Sequence, residues 1–321
     1  KVRQETERRA SSGLKKTIYD WAMRVGRQHR EQILKGQTPT SLSWKLANKL
    51  VYSKIRAGVG GRAELFISGG APLGRELAEW FADIGIRIFE GYGLTETSPV
   101  VAINTSDHHR IGSVGRPVSN VQCKLAEDGE LLVKGPSVFH GYWHLPEETA
   151  NAFVDGWFRT GDIAQIDADG FVSITDRKKD LIKTSGGKFI APQPIETSLK
   201  TNVLVAQAAV IGDKRRFACV LVAPNFPLLE DWAREKQLAF TSREDLIQKP
   251  QVHALYDDIL AKVNEKLARF EQLKRVILVP DEFTTASGEL TPSMKLKRRV
   301  VEAKYAPLID AVYASTDHAL V

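Results

Sequence analysis

The chain is poor in cysteine: only Cys123 and Cys219 occur among 321 residues, with no metal-ligand spacing around them. That argues against a disulfide framework and a structural zinc site, and for a reduced, cytoplasmic protein. Long apolar runs are lacking too. The longest, Val203–Ile211 and Cys219–Pro224, fall far short of the ~20 residues a spanning helix needs and read as buried strands. No phosphate loop of the form G-x-x-x-x-G-K-[ST] exists, since Gly69 to Gly74 is followed by Arg75-Glu76. The glycines of Gly58–Ala63 resemble a dinucleotide fingerprint but follow a helix and precede a strand, which is the wrong order. Internal repeats and low-complexity segments are missing. One sign of charge hardly dominates: 45 Lys and Arg against 39 Asp and Glu give a formal net charge of +6. The scatter of these residues argues against nucleic acid. It suits anionic substrates such as nucleotides or coenzymes, and leaves open a peripheral attachment at an acidic membrane surface. The chain opens at Lys1 inside a charged helical pattern rather than at a methionine. A longer parent protein is therefore expected, and the missing signal peptide says nothing about the parent's start.

What is present divides the chain. Its length has room for two or three compact units at roughly 100–200 residues per domain. Residues 1–57 are helix-like, with Leu14, Ile18, Trp21, Ala22 and Val25 at three- and four-residue spacing. A second helix is predicted to end near Ala57. Ala63–Ser68, Leu73–Asp83 and Ile86–Phe89 then read as buried strand, helix and strand, a βαβ unit of an α/β domain. From Ile111 to Asp176 short alternating runs (Val121–Leu125, Glu130–Val133, Ile163–Asp167, Phe171–Thr175) are separated by the turn pairs Asp128-Gly129, Asp155-Gly156 and Asp169-Gly170. This predicts an all-β subdomain. Beyond the charged stretch Asp176–Asp180, an α+β pattern is expected. It comprises a helix near Pro194–Lys200, strands at Val205–Ile211 and Phe217–Pro224, a long helix near Val252–Phe270, and a strand at Val276–Val279. The domain junction is placed at about 177–180, with 1–110 and 111–176 as the two parts of the first domain and 177–321 as the second.

Two glycine-rich turns stand near strand ends: Ser68-Gly69-Gly70-Ala71-Pro72 and Glu90-Gly91-Tyr92-Gly93-Leu94-Thr95-Glu96-Thr97. Glycine lets a flat ligand or a phosphate approach the backbone, although turn geometry alone accounts for the first. The second places an aromatic ring, a hydroxyl and a carboxylate within five residues at a strand's C-terminal end, where open α/β sheets bind ligands. A hydroxyl can donate to a phosphate oxygen, a carboxylate can hold a magnesium ion, and an aromatic face can pack on a purine. The clusters Phe158–Asp162, Asp176–Asp180 with Lys183 and Ser185–Lys188, and Leu290–Arg299 carry charge that a solvated face would explain equally well.

Taken in order, GYGLTET, FRTGD, DRKKDLIKTSGGKFIAPQPIE and LTPSMKLKRR, with SGGAPL and GYWHLPEET, resemble the acyl-adenylate-forming (AMP-binding) superfamily. DRKKDLIK and TPSMKLKRR look most like its long-chain fatty acyl-CoA synthetase branch. The resemblance covers residue 63 to the end. It implies part of a large domain, with α/β sheet layers and a small β-barrel-like subdomain, followed by a small mobile C-terminal α+β domain. It also implies a ligase that uses ATP, Mg2+ and coenzyme A to convert a long-chain fatty acid first to acyl-AMP and then to a thioester.

By that resemblance Thr95 contacts the α-phosphate and Glu96 holds the magnesium ion. Tyr92 and Gly93 line the nucleotide, with Tyr92 on adenine and Gly70-Ala71 on the other side. Asp162 accepts the ribose hydroxyls, as a carboxylate can accept two donors at once. Arg177 supports the same nucleotide, and Lys295 reaches the reacting carboxylate and α-phosphate. Lys179 stands at the hinge, and Gly186 and Gly187 border the path of coenzyme A. Pro99, Val100 and Val101 suit either an acyl pocket or core packing. His108, His109 and Cys123 read as surface or packing features. The family's upstream phosphate loop is not in this chain, so the 321 residues alone are expected to be inactive and to expose sheet edges. Two other readings are a transferase to a carrier protein and a non-catalytic nucleotide-binding homologue. The tail after Lys295 has no Ser-centred carrier domain, and Glu96, Asp162 and Lys295 are all present.

Overall fold

The basic helical pattern of the first residues becomes α1 (Val2–Arg9), α2 (Gly13–Leu34), α3 (Leu42–Ala47), a π-helical turn at Asn48–Tyr52 and α4 (Ser53–Gly58) in a computed structural model that describes residues 2–292 and 294–317. Ala22, Met23 and Val25 of α2 are buried at helical spacing. Their partners come from Trp44, Ala47 and Tyr52, and from Trp80 and Ile84 farther on. Contact with the next helix is close. A Cβ on Gly26 would lie 2.3 Å from the carbonyl oxygen of Asp83, so glycine there sets the approach of the two backbones. Arg30 closes the same seam with a bidentate pair to Asp83 at 2.7 and 2.9 Å.

Two compact units follow from the packing, Lys1–Lys179 and Asp180–Val321. In the first, β1 (Phe66–Ser68), α5 (Arg75–Asp83) and β2 (Ile88–Gly93) make a parallel βαβ step, with Ile67 opposite Phe89. β3 (Val100–Ile103) and β4 (Arg116–Pro117) extend the sheet antiparallel in the order β1-β2-β3-β4. The 63–68 run is not a buried strand. Leu65 and Ile67 are exposed, and among the described residues β1 pairs only with β2. Among these residues β1 has one ladder and one wet side, which the apolar run alone does not announce.

The all-β pattern is realised as a five-stranded antiparallel sheet. It contains β5 (Gln122–Leu125), β6 (Glu130–Lys134), β7 (Phe153–Val154), β8 (Trp157–Ile166) and β9 (Val172–Arg177), with α6 (Pro146–Asn151) before β7. Val101 and Ala102 of β3 share a core with Leu131, Val133, Ala164 and Val172 of this sheet.

The second unit opens with the hairpin β10 (Ile182–Lys183) and β11 (Phe189–Ile190), then α7 (Pro192–Leu199). Its main sheet is β12 (Val205–Ile211), β13 (Ala218–Pro224) and β14 (Leu273–Leu278), with β12 antiparallel and β14 parallel to β13. α8 (Phe226–Glu235), α9 (Arg243–Ile247) and α10 (Pro250–Asn264) lie between β13 and β14, and α11 (Arg298–Lys304) and α12 (Ala306–Asp317) end the unit. Every residue of β13 is buried. Val220 and Val222 face a core with Leu229 and Tyr256, while Cys219 and Leu221 face another with Val301 and Tyr313. A strand covered on both faces reads as a continuous apolar run, as this one does. The long helix stops at Asn264, short of the predicted Phe270. The Asn264 side chain accepts from Leu273 N–H at 3.0 Å and donates to Leu273 O at 2.9 Å, tying the chain directly into β14. Among the described residues no helix is long and apolar enough to cross a membrane.

Candidate active site

Strand β2 runs out through Gly91-Tyr92-Gly93 into a 3₁₀ turn at Thr95–Thr97. Glycine is obligatory at 93, because a Cβ there would sit 1.7 Å from Pro99 O. The buried Thr97 hydroxyl donates to Pro99 O at 2.6 Å and accepts from Leu94 N–H at 3.0 Å. Ser98 takes the left-handed conformation at φ 55°. This folded turn leaves Thr95 exposed and Glu96 half-buried. Tyr142, from the GYWHLPEET stretch, donates its hydroxyl to Glu96 Oε1 at 3.0 Å, and Phe139 N–H donates to Glu96 O at 2.8 Å. Burial, then the neighbouring Glu96 carboxylate, pushes the Tyr142 phenol above its ordinary pKa.

Asp162 lies on β8 directly opposite Arg177 on β9, and only 3% of its surface is exposed. Tyr92 donates its hydroxyl to Asp162 Oδ2 at 2.5 Å, while Arg177 Nε stands 3.1 Å from Oδ1. Burial, and then the Asp162 charge, drive the Tyr92 phenol well above its ordinary pKa, so it stays a donor. Residues drawn from GYGLTET, FRTGD and DRKKD thus meet on three strands of one unit. The resemblance assigns the Tyr92 ring to adenine; the structure shows what its hydroxyl does.

Gly70, at φ +80°, and Ala71 lie exposed on the turn between β1 and α5. That turn approaches β2 closely: a Cβ on Gly69 would stand 3.3 Å from Gly91 O. Glu90 Oε1 accepts from Leu73 N–H at 3.2 Å. Burial raises the Glu90 pKa. Val101 is fully buried in the core while Val100 remains exposed, which for Val101 is the packing role.

Sequence reasoning missed Glu130. Its carboxylate, 3% exposed, accepts from Gly161 N–H at 3.0 Å, Arg159 Nη2 at 3.0 Å and Lys178 Nζ at 2.8 Å. Burial pushes its pKa up, but Lys178, Arg159 and the Gly161 amide outweigh that and hold it low. It braces the stretch of β8 that presents Asp162 and ties down the residue before Lys179, which is itself exposed in a 3₁₀ turn. The available signal was an acid opening the buried run Glu130–Val133.

In the second unit Gly186 and Gly187 form the tip of the β10–β11 hairpin. Gly187 sits at φ +77°, and the tip is closed by Thr184 N–H to Lys188 O at 3.1 Å. Lys295 is exposed on a tight turn. There Thr291 N–H donates to Lys295 O at 2.8 Å, and Lys295 N–H to Thr291 Oγ1 at 3.0 Å. Ser293 of this motif lies outside the described residues. Leu290 and Leu296 pair across the turn. Glu289, fully buried, holds its base. Lys304 Nζ is 2.8 Å from Oε1, Thr284 N–H is 3.3 Å from Oε2, and Ser287 also donates to Oε2. Burial opposes its ionisation, yet Lys304 and Ser287 lower its pKa to about 2.

Comparison with known proteins agrees with this arrangement of elements. The sequence profile of the AMP-binding enzyme family matches residues 18–143, and that of the AMP-binding enzyme C-terminal domain matches residues 179–317. The long-chain-fatty-acid–CoA ligase FadD15 of Mycobacterium bovis is 40% identical over 316 residues, covering 98% of this chain and 53% of the relative. Human long-chain-fatty-acid–CoA ligase ACSBG2 is 31% identical over 328 residues, covering 94% and 49%. The chain therefore spans about half the length of these relatives. Among solved structures, the adenylation domain of a carboxylate reductase from Mycobacterium chelonae superposes with a TM-score of 0.68 at 24% identity, covering 91% of this chain and 45% of that one. It supports the fold alone. ATP-bound MatB from Rhodopseudomonas palustris gives 0.58 at 28%, covering 80% and 50%. With both of its units matched, the chain is a member of the AMP-binding, acyl-adenylate-forming enzyme family.

Proposed function

We propose that the protein to which these residues belong activates a long-chain fatty acid with ATP and passes the acyl group to coenzyme A. The meeting of Tyr92, Asp162 and Arg177 carries this reading. A buried carboxylate held by a phenol and a guanidinium is fixed in place, as an acceptor for a vicinal diol must be. The resemblance makes that diol the ribose of ATP.

Two half-reactions follow. A fatty carboxylate attacks the α-phosphorus, forming the acyl–O–P bond as pyrophosphate leaves. The coenzyme A thiol, losing its proton, then attacks the acyl carbonyl, and AMP departs with the bonding pair. Negative charge builds on oxygen in both steps, so fixed donors and cations are the main resource. In this reading the Thr95 hydroxyl donates to the α-phosphate and the Lys295 ammonium neutralises the reacting carboxylate and phosphate. Rotation at 177–180 exchanges Lys295 for the Gly186-Gly187 tip between the two steps; a hinge need only absorb backbone rotation. The donor set suits magnesium. Glu96 offers a single carboxylate, no group of three acidic, His or Cys side chains occurs among the described residues, and magnesium usually takes one or two carboxylates plus substrate phosphates. When bound there, it would offset phosphate charge.

The test uses the protein with its upstream sequence restored, because the β- and γ-phosphate loop expected of the family is not within these 321 residues. Supplied with ATP, Mg2+ and palmitate, it should release pyrophosphate. Lys295→Ala should slow that release by about 10²–10³-fold, the cost of removing one transition-state donor. Thioester formation from preformed acyl-AMP should be spared. Equal turnover by Lys295→Ala would remove its assigned role, and acyl transfer to a carrier protein in preference to free coenzyme A would change the acceptor. The 321-residue chain alone should show no turnover.

A further inference from the structure

We propose that the first unit binds a soluble phosphate monoester in the cavity between the end of α2, the helices that follow it and the beginnings of β1 and β2. The site goes beyond the ligase reading and does not depend on it. The cavity holds about 380 Å³, and Asn48, Arg56, Phe66, Arg87 and Phe89 are among the residues that line it. Arg56, half-buried, donates from Nη1 to Ile84 O at 2.6 Å and from Nη2 to Asn48 Oδ1. Both acceptors are neutral, and burial pushes the Arg56 pKa below the ordinary arginine value. Arg87, also half-buried, stands 5.2 Å from the centre of the Phe89 ring and donates from Nη1 to Ser106 O at 3.3 Å. Among the described residues no acid pairs with either arginine. Glu64 also lines the cavity but is exposed and bonds to neither. Arg30 of the same unit is, by contrast, neutralised by Glu79 at 2.8 Å and Asp83 at 2.7 Å.

Two glycines make room for these guanidiniums. A Cβ on Gly85 would lie 3.1 Å from Arg56 Nη1, and one on Gly36 would lie 3.2 Å from Arg87 Nη1, both glycines having positive φ. Charge withdrawn from water needs a counter-charge. Two forked donors, each carrying one positive charge, match the oxygens of a dianionic phosphate, whereas a monocarboxylate would leave one of them unmatched. The volume belongs to the range of small-molecule sites, roughly 300–1,000 Å³, so an ester fits as well as the bare ion. The place is distinct from the candidate active site. Arg87 precedes β2, and Tyr92 stands near the other end of that strand, roughly 15–20 Å away at about 3.3 Å per residue.

The test is calorimetric titration of the 321-residue chain with glycerol 3-phosphate, with glycerol as the neutral control. Saturable binding of the phosphate compound alone is expected. Arg87→Gln should weaken it about tenfold or more, the loss of one charge-assisted contact. Arg56→Lys, which keeps the charge and loses the fork, should weaken it as well. Circular dichroism on both variants separates lost binding from lost folding. Asp162→Ala, altered in the candidate active site, should bind as the parent chain does. No binding by the folded chain would overturn the proposal, as would full binding by Arg87→Gln or loss of binding in Asp162→Ala. Binding to vesicles of phosphatidic acid without binding to glycerol 3-phosphate would overturn it too, by assigning the phosphate to a lipid. So would binding that disappears once the upstream sequence is restored, since a side chain of that sequence would then be the counter-charge.

Discussion

Glu130 and Glu289 are buried carboxylates of the two units, each standing behind a segment that the family resemblance marks as functional. They differ in what surrounds them. Glu130 collects a backbone amide and a guanidinium from β8 and an ammonium from Lys178, just past the end of β9, so it ties β8 to the turn that follows β9. Glu289 is held by Lys304 at the end of α11 and by Thr284 and Ser287 of its own loop. Asp162 is therefore part of a sheet, whereas the Lys295 turn is a local structure on a helix-anchored base. The contrast suits the proposed roles. A nucleotide grip gains from fixed geometry, and a group that must arrive and withdraw gains from being carried on a compact, exposed projection.

Glu130→Ala should give the larger effect. It leaves the Gly161 amide without its acceptor and takes a shared partner from Arg159 and Lys178, which are 43% and 35% exposed, a cost of about 1–3 kcal/mol. Thermal unfolding should show the loss, and hydrogen exchange at Gly161 should speed up without a change at Lys295. Equal acceleration in both units would erase the distinction between them.

Glu289→Gln should be milder and pH-dependent. Its folded pKa of about 2 lies below the ordinary carboxylate value. The ionised form therefore stabilises the fold above about pH 4.5, and that contribution is lost as pH falls through 2. At pH 7 the variant should be less stable, with the difference shrinking between pH 4.5 and 2. A constant difference over that range would mean the carboxylate acts by shape alone.

Strands buried on both faces were the most legible part of the fold. Val205–Ile211 was read with its observed ends and Phe217–Pro224 to within one residue, because no competing period exists in a continuous apolar run. Ala63–Ser68 differs, since Leu65 and Ile67 are exposed among these residues and composition does not announce which strands are covered. The short β3 was not separated from the turn before it, since its exposure pattern follows from pairing with β2 and β4. At the site, glycine, hydroxyl and carboxylate in one turn were visible locally. The bond from Tyr92 to Asp162 spans 70 positions, and Glu130 makes its contacts 29 to 48 residues away. Such partners are set by register, which no local spacing encodes.

The fixed carboxylate grip is tested most directly by titrating ATP into the upstream-complete protein and its Asp162→Ala variant by calorimetry. Two charge-assisted hydrogen bonds are lost, at about 1.5–3 kcal/mol each. The affinity should therefore fall by roughly 100-fold or more, with the variant still folded. An unchanged ATP affinity in a folded Asp162→Ala protein would contradict the account.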